Sequence, residues 1–190
     1  MSSQTKTFLT PEEYLRIERR AEYKSEYFNG EIFAMVGANR EHNVIALNIA
    51  RKLGDQLENR PCEAYISDMR VRIPATGLYT YPDVVVVCGE PKFDDDHLDT
   101  LTNPTVLIEI LSPTTESYDR GRKSSHYRTV ESLAEYLLVS QDEYRVEQYS
   151  KQPDGRWLLT DIRSLDGVIN LASIECVLKL KDAYAKVVLH

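Results

Sequence analysis

The sequence has few cysteines and no long apolar run. Its three cysteines, Cys62, Cys88 and Cys176, are odd in number, far apart along the chain and form no Cys-x-x-Cys pair. This pattern argues against a disulfide framework or a zinc knuckle and favours a reducing compartment. No apolar stretch approaches the length that crosses a bilayer, and residues 1–7 contain no apolar signal core. The sequence therefore predicts a cytoplasmic protein without membrane contact, with residues 1–7 flexible.

An excess of basic charge is also absent. The 23 lysines and arginines are outnumbered by 30 aspartates and glutamates, which gives a net charge of −7. This balance argues against a general polyanion-binding protein but permits a local basic groove. The 190 residues fit one globular domain, and no repeat, low-complexity stretch or linker divides them. The sequence predicts a single α/β domain over residues 1–190, with a mixed sheet.

Two segments near the N-terminus have the pattern of helices. Thr10 and Glu13 fit a capping box around a proline, which predicts a helix that runs to about residue 20 or 22. Apolar residues four apart over 39–58 predict a second helix packed on a sheet. His42 lies in the first turn of that helix. A surface or capping role is typical of such a histidine, and a catalytic or substrate-binding role is the alternative.

Between these helices, Asn29-Gly30 predicts a β-hairpin with a two-residue turn. In that register Phe28 lies opposite Glu31, and Glu26 lies opposite Phe33. Alternation places these four side chains on one face of the hairpin. Two glutamates beside two phenylalanines fit a solvent-exposed outer face. Alternatively, one of the glutamates leans into an active site.

Two aliphatic runs each carry one carboxylate. Asp83 precedes four valines, and Glu109 lies in the middle of a second run, so both runs are predicted to be strands buried on both faces. An ionised carboxylate in such a strand is costly unless a cation or hydrogen-bond donors meet it. Two of them on neighbouring strands suggest a shared metal ion, Mg²⁺ with Mn²⁺ as a substitute. The alternative is structural: Asp83 caps a strand, and Glu109 pairs with a basic side chain of the next helix.

The remaining elements follow from alternation and turn residues. They are a strand over 62–73, a turn over 74–80, a loop over 89–103, a helix over 114–129, a strand over 134–139, a hairpin of 144–150 with 157–162, and a tail over 177–189 without assigned structure.

The order of these motifs resembles the Uma-two (Uma2) family of proposed endonucleases. The resemblance runs from about residue 8 to the end of the chain. It is carried by the segments 25–31, 81–87, 108–113 and 119–123, together with His42 and Tyr127. The Uma-two family belongs to the PD-(D/E)XK superfamily, which implies a restriction-endonuclease-like mixed β-sheet flanked by helices.

The resemblance also implies roles for individual residues. Asp83 and Glu109 match the two acidic positions of the superfamily, and the main-chain carbonyl of Ile110 would be a further metal ligand. The superfamily places a lysine two residues after the second acid, but this chain has Leu111 there. Lys123 on the next helix is the candidate replacement, because only the position of the ammonium group matters.

Accessory roles are implied for a further set of side chains. The superfamily usually carries an accessory acid on a helix, whereas the candidates here, Glu26 and Glu31, lie in the hairpin. Tyr127 follows Lys123 by four residues and is expected to pack against it and orient it. Three arginines are either phosphate contacts or a solvated helix face. They are Arg120, Arg122 and Arg128.

The favoured function is a Mg²⁺-dependent endonuclease that cleaves phosphodiester bonds, with DNA as the expected substrate and a homodimer as an expected assembly. A nuclease-like module that binds DNA or a protein without cleaving is the alternative from another class. A glycoside hydrolase with paired carboxylates would need an aromatic-lined cleft, and the sequence does not indicate one.

Overall fold

The computed structural model describes residues 8–189, so the predicted flexibility of residues 1–7 lies outside it. The described chain forms five helices and thirteen strands. The helices are α1 (Pro11–Glu18), α2 (Arg40–Leu57), α3 (Glu116–Tyr118), α4 (Ser124–Tyr127) and α5 (Leu180–Ala183), with a π-turn at Asp119–Lys123 and a 3-10 turn at Ala172–Ile174. The strands are β1 (Ser25–Phe28), β2 (Glu31–Ala34), β3 (Cys62–Ile66), β4 (Arg70–Ile73), β5 (Leu78–Thr80), β6 (Val84–Cys88), β7 (Thr100–Leu101), β8 (Val106–Leu111), β9 (Glu135–Ser140), β10 (Val146–Lys151), β11 (Trp157–Ile162), β12 (Val168–Leu171) and β13 (Cys176–Lys179).

The larger sheet has six strands in the order β11-β10-β9-β8-β6-β3. Strands β8 and β9 run parallel, and their neighbours run antiparallel, so the sheet is mixed as predicted. Helix α2 packs its apolar stripe on one face, where it meets Val84 and Val86. Val85 and Val87 pack in a second cluster on the other face. The prediction that β6 is buried on both faces is confirmed.

The smaller sheet has five strands in the order β2-β1-β5-β4-β7. The hairpin β1–β2 has the predicted register, with Phe28 opposite Glu31. Its turn depends on positive φ at Asn29 (49°) and Gly30 (85°). Helix α1 has the predicted capping box, but it ends at Glu18, earlier than expected. It packs through Tyr14 and Leu15 against Tyr27 and Tyr79 of this sheet.

Several predicted boundaries are wrong because the chain changes sheets. The predicted strand over 62–73 is two strands: a turn closed by the Met69 amide and the Ile66 carbonyl at 2.9 Å sends β3 and β4 to different sheets. The predicted turn over 74–80 contains β5, and the loop over 89–103 contains β7. The C-terminal tail is also ordered, since β12 and β13 pair and α5 follows.

The argument from cysteine spacing against disulfide bonding is wrong for one pair. Cys62 and Cys88 are far apart in sequence, but they are register partners on β3 and β6 and form a disulfide. Cys176 is free and buried. The prediction of a reducing compartment loses its support from cysteine usage, and the cytoplasmic location stays a prediction. Within residues 8–189, no helix is long and apolar enough to cross a membrane.

Helix α2 offers a test of the larger core. Leu53 is fully buried, so Leu53→Ala should lower the free energy of unfolding by about 2–5 kcal/mol, through lost burial and the cavity left behind. Leu47 lies on the same helix but is 67% exposed, and Leu47→Ala should change the free energy by less than about 0.5 kcal/mol. Urea unfolding of both variants measures the difference. Equal effects would show that α2 does not pack as described.

Candidate active site

Asp83 and Glu109 meet where β6 and β8 pair. Val84 lies opposite Ile108 in this antiparallel pair, so the same register sets Asp83 opposite Glu109. The amide of Ile110 donates to Oδ2 of Asp83 at 2.7 Å. The role of the Ile110 carbonyl as a metal ligand stays a prediction. The side chain of Asp83 is 15% exposed and that of Glu109 is 5% exposed, so the pair opens to solvent on the Asp83 side.

The other oxygen of Asp83 contacts His42. Nε2 of His42 lies 2.7 Å from Oδ1 of Asp83. Asn39 caps α2 by accepting a hydrogen bond from the His42 amide at 2.9 Å, and this fixes the first turn of the helix beside the strand. The structure therefore places His42 against a candidate metal-binding carboxylate rather than on an open surface.

The ammonium of Lys123 lies among three carboxylates. Its Nζ is 2.9 Å from Oε1 of Glu109, 3.0 Å from Oε1 of Glu26 and 3.5 Å from Oδ1 of Asp119. Leu111, where the superfamily places its lysine, is buried in the core instead. Lys123 therefore reaches Glu109, the second acid, from the helical segment that follows β8. The same ion pair also fits the structural alternative, in which Glu109 pairs with a basic side chain of that segment.

The helical segment reaches this position through its π-turn. The predicted continuous helix over 114–129 is interrupted, because the amide of Ser124 bonds to the Asp119 carbonyl five residues back. In the wider turn, Asp119 and Lys123 both face the protein interior and are buried. The hydroxyl of Tyr136 donates to the Asp119 carbonyl at 3.2 Å and ties the turn to β9. π-Turns of this kind are frequent at functional sites, and no residue pattern in the sequence marked this one.

Glu26 comes to the site from the other sheet. Its carboxylate contacts Lys123 and accepts a hydrogen bond from the hydroxyl of Thr80 on β5. Glu26 is only 8% exposed, so the expectation of an outer face is wrong for this residue, which leans towards Lys123. Glu31 lies on the same face at the turn end and is half-buried.

Tyr127 contacts the second acid of the site. Its buried hydroxyl donates to Oε1 of Glu109 at 2.6 Å, the same oxygen that Lys123 contacts. Tyr127 therefore holds the Glu109 side chain, and the predicted packing of Tyr127 against Lys123 stays a prediction. Asp119 also belongs to the site, and the sequence did not single it out, although it lies in the segment 119–123 that carries the family resemblance.

Burial and crowding shift the ionisation of these groups. Burial raises the pKa of Glu109 to about 8; the nearby charges of Asp119 and Asp83 add to this, and Lys123 opposes it. Burial also raises the pKa of Asp119. Burial alone would lower the pKa of Lys123, but its acidic neighbours outweigh it and raise that pKa well above the ordinary value. The site holds more carboxylates than one ammonium neutralises.

The donor set fits a divalent cation in type and in charge. Carboxylate oxygens are the ligands that Mg²⁺ and Mn²⁺ prefer, and the surplus negative charge favours a cation. Within the described chain, however, no three acidic, histidine or cysteine side chains already stand as a ligand group. Asp83 is engaged by His42 and the Ile110 amide, and Glu109 by Lys123 and Tyr127. Binding an ion therefore requires some of these contacts to open.

The three candidate arginines differ in availability. Arg120 is held by Glu116 at 2.7 Å and also pairs with Glu147, so its charge is already neutralised. Arg122 and Arg128 are exposed, and within residues 8–189 neither pairs with a carboxylate. Only these two remain open to a phosphate.

Comparison with known proteins agrees with this architecture. The model of the Uma2 family, described as "Putative restriction endonuclease", matches residues 11–181. The chain belongs to the Uma2 family. The Uma2 match extends from α1 into α5, and it confirms the resemblance drawn from the motifs.

Relatives of this Uma2 protein occur in Synechocystis. The protein is 42% identical over 158 residues to the uncharacterized protein sll1609, which covers 83% of this chain and 89% of the relative. It is 40% identical over 158 residues to the uncharacterized protein slr1290, at 83% and 82% coverage. A crystal structure from Anabaena variabilis, titled as a putative nuclease of DUF820, superimposes with a TM-score of 0.75. At 19% identity, with 95% and 99% coverage, it confirms the predicted restriction-endonuclease-like fold.

The raised pKa of Glu109 predicts how stability depends on pH. The pKa is about 8 in the folded chain against an ordinary value of 4.5, so folding takes up a proton between these values. The contribution of Glu109 to the free energy of unfolding should therefore be fully present below the lower value and fall as pH rises through the upper one.

Urea midpoints of metal-free parent and Glu109→Gln from pH 5 to pH 9 would measure this. The urea midpoint of the parent, relative to that of the variant, should fall as the pH rises from 5 to 9. The difference between the two proteins removes the opposite effect of His126, whose pKa is lowered by burial. A difference that stays constant with pH would contradict the shift.

Proposed function

We propose that this Uma2 protein is a metal-dependent endonuclease that hydrolyses phosphodiester bonds in DNA. The observation that carries the proposal is the convergence of Asp83, Glu109 and Lys123 from β6, β8 and the π-turn. Membership in the Uma2 family, whose description is "Putative restriction endonuclease", supports nuclease activity.

Asp83 and Glu109 are the residues that would hold Mg²⁺ or Mn²⁺, with the Ile110 carbonyl as a main-chain ligand. When bound, the ion would supply an activated water and offset negative charge on the scissile phosphate. His42 and the Ile110 amide orient the Asp83 carboxylate, and Tyr127 orients that of Glu109. These contacts hold both acids at the strand pair, and some of them would open to admit the ion.

Lys123 acts in this proposal as a charged donor and not as a base. Its carboxylate neighbours raise its pKa, so the ammonium stays protonated at neutral pH. A protonated lysine beside the second acid can hold the attacking water or stabilise charge on the phosphate. Glu26 and Asp119 hold the ammonium in place. Arg122 and Arg128 are the proposed phosphate contacts outside the centre.

A non-catalytic DNA- or protein-binding module is the second candidate. The contact between Lys123 and Glu109 favours this candidate, because a buried ion pair of this kind can be purely structural. In that case the cluster would hold the two sheets together and bind no metal.

Metal titration separates the two candidates. Calorimetry with Mn²⁺ should show binding to the parent, and Asp83→Asn or Glu109→Gln should each abolish it by removing a charged ligand. Asp161→Asn removes a surface carboxylate held by arginines and should leave binding unchanged. A folded parent that binds no Mn²⁺ would favour the non-catalytic module.

Cleavage of DNA tests the role of Lys123. With Mn²⁺ present, Lys123→Met should lower the cleavage rate by about a hundredfold or more, because one donor to the developing negative charge is lost. Lys92 is exposed and remote from the cluster, so Lys92→Met should cleave at the parent rate. Nicking of supercoiled plasmid measures the rates, and circular dichroism verifies folding. A folded Lys123→Met protein with the parent rate would remove Lys123 from the mechanism.

A further inference from the structure

An exposed phenylalanine lies beside the candidate active site. Phe33 on β2 is the register partner of Glu26 on β1, so both side chains are on the same face of the hairpin. Directly opposed side chains on antiparallel strands are separated by about 5 Å between Cβ atoms. Because Glu26 contacts Lys123, Phe33 is one strand further out from the lysine.

The helical segment packs on β1, the strand next to β2. On β1, Glu26 contacts Lys123, and the ring of Phe28 packs edge-on against His126 with ring centroids 4.8 Å apart. Strand β2 is the edge of its sheet, and Phe33 is 48% exposed. Strand β2 therefore presents an aromatic ring to solvent beside Glu26.

A free cation lies on the adjoining helical segment. Arg122 precedes His126 by one helical turn, and burial together with the positive charge of Arg122 lowers the pKa of His126. The exposed guanidinium of Arg122 has no carboxylate partner within residues 8–189. Phe33 thus lies beside Glu26, and Arg122 lies beside His126, which packs on the same strand as Glu26. Nucleic-acid strands are bound by this combination, with bases on aromatic rings and phosphates on cations.

We propose that Phe33 stacks on a nucleobase of the substrate strand while Arg122 binds a phosphate of that strand. The substrate is then single-stranded DNA, or a duplex with an unpaired nucleotide at the site. The faces of a paired base are covered by its neighbours in the duplex, and only an unstacked base can take a protein ring. This inference rests on the nuclease function proposed above and names the form of its substrate.

The surroundings of Phe33 fit a nucleic-acid strand better than a second copy of the chain. Strand β2 has four residues, whereas a stable protein interface buries about 800 Å² on each partner. The neighbouring Arg122 complements a phosphate, and a second copy of this face would bring two such cations together. Self-association through β2 is nevertheless an outcome that the experiment below distinguishes.

The test uses the full chain, with metal chelated so that no cleavage occurs. A single-stranded oligonucleotide containing one 2-aminopurine reports both affinity and stacking. Phe33→Ala should weaken binding about tenfold and abolish the fluorescence change, because one base–aromatic contact is lost. Phe33→Tyr should restore both. Leu158→Ala, at an exposed position of the edge strand β11, should behave as the parent.

Two further measurements separate the base contact from the phosphate contact. Arg122→Gln should reduce the slope of log affinity against log salt by about one while the fluorescence change remains. Binding to the fully paired duplex of the same sequence should change little in Phe33→Ala, because its bases offer no free face.

Several results would overturn the inference. Equal affinity and fluorescence in Phe33→Ala would leave no stacking role, and so would a parent that binds no oligonucleotide. A parent dimer that becomes monomeric in Phe33→Ala on sedimentation would assign the face to self-association. Plasmid cleavage is measured separately, so an active nuclease with an unimportant Phe33 would sink only this inference.

Discussion

The candidate site depends on the contacts of one buried ammonium group, that of Lys123, which link the two sheets. The ammonium contacts Glu26 from the five-stranded sheet, Glu109 from the six-stranded sheet and Asp119 from its own π-turn. A buried charge is strongly destabilising unless partners surround it. The two sheets also share an apolar cluster in which Val71 and Ile73 of the smaller sheet pack with Val85 and Leu107 of the larger one. The Lys123 contacts add a charged link between the sheets at the candidate site.

This arrangement leaves the site with surplus negative charge. Burial raises the pKa of Glu109, the charges of Asp119 and Asp83 add to this, and the ammonium of Lys123 opposes it. Two uncharged donors also stabilise the carboxylates. The hydroxyl of Tyr127 donates to Glu109, and the amide of Ile110 donates to Asp83. Such partly compensated charge is a cost to stability, and it is typical of sites retained for function rather than for folding.

Local pattern predicted the frame of the site well. The Asn29-Gly30 turn fixed the hairpin register, the four-residue repeat located α2, and the aliphatic runs located β6 and β8. Each of these follows from short-range chemistry: turn conformation, helical periodicity and β-branching. The Uma2 resemblance then singled out Asp83, Glu109 and Lys123 as one set.

The rest depended on long-range packing that local pattern does not contain. Whether Glu26 faces solvent or Lys123 depends on where the helical segment lies, and the π-turn that directs Asp119 inward has no local signature. The pairing of β3 with β6 decides that Cys62 meets Cys88. The contact of His42 with Asp83 likewise needs α2 and β6 to be docked.

The most direct measurement is a crystal structure of the protein with Mn²⁺, using anomalous scattering to locate the ion. A single ion bound by Asp83 and Glu109, with the Lys123 ammonium still held by Glu26 and Asp119, is the expected result. That outcome would show that the acid cluster is a metal centre with a positioned lysine. An ordered cluster with no ion at saturating Mn²⁺, and the Lys123–Glu109 contact intact, would contradict it and leave a structural ion pair between two sheets.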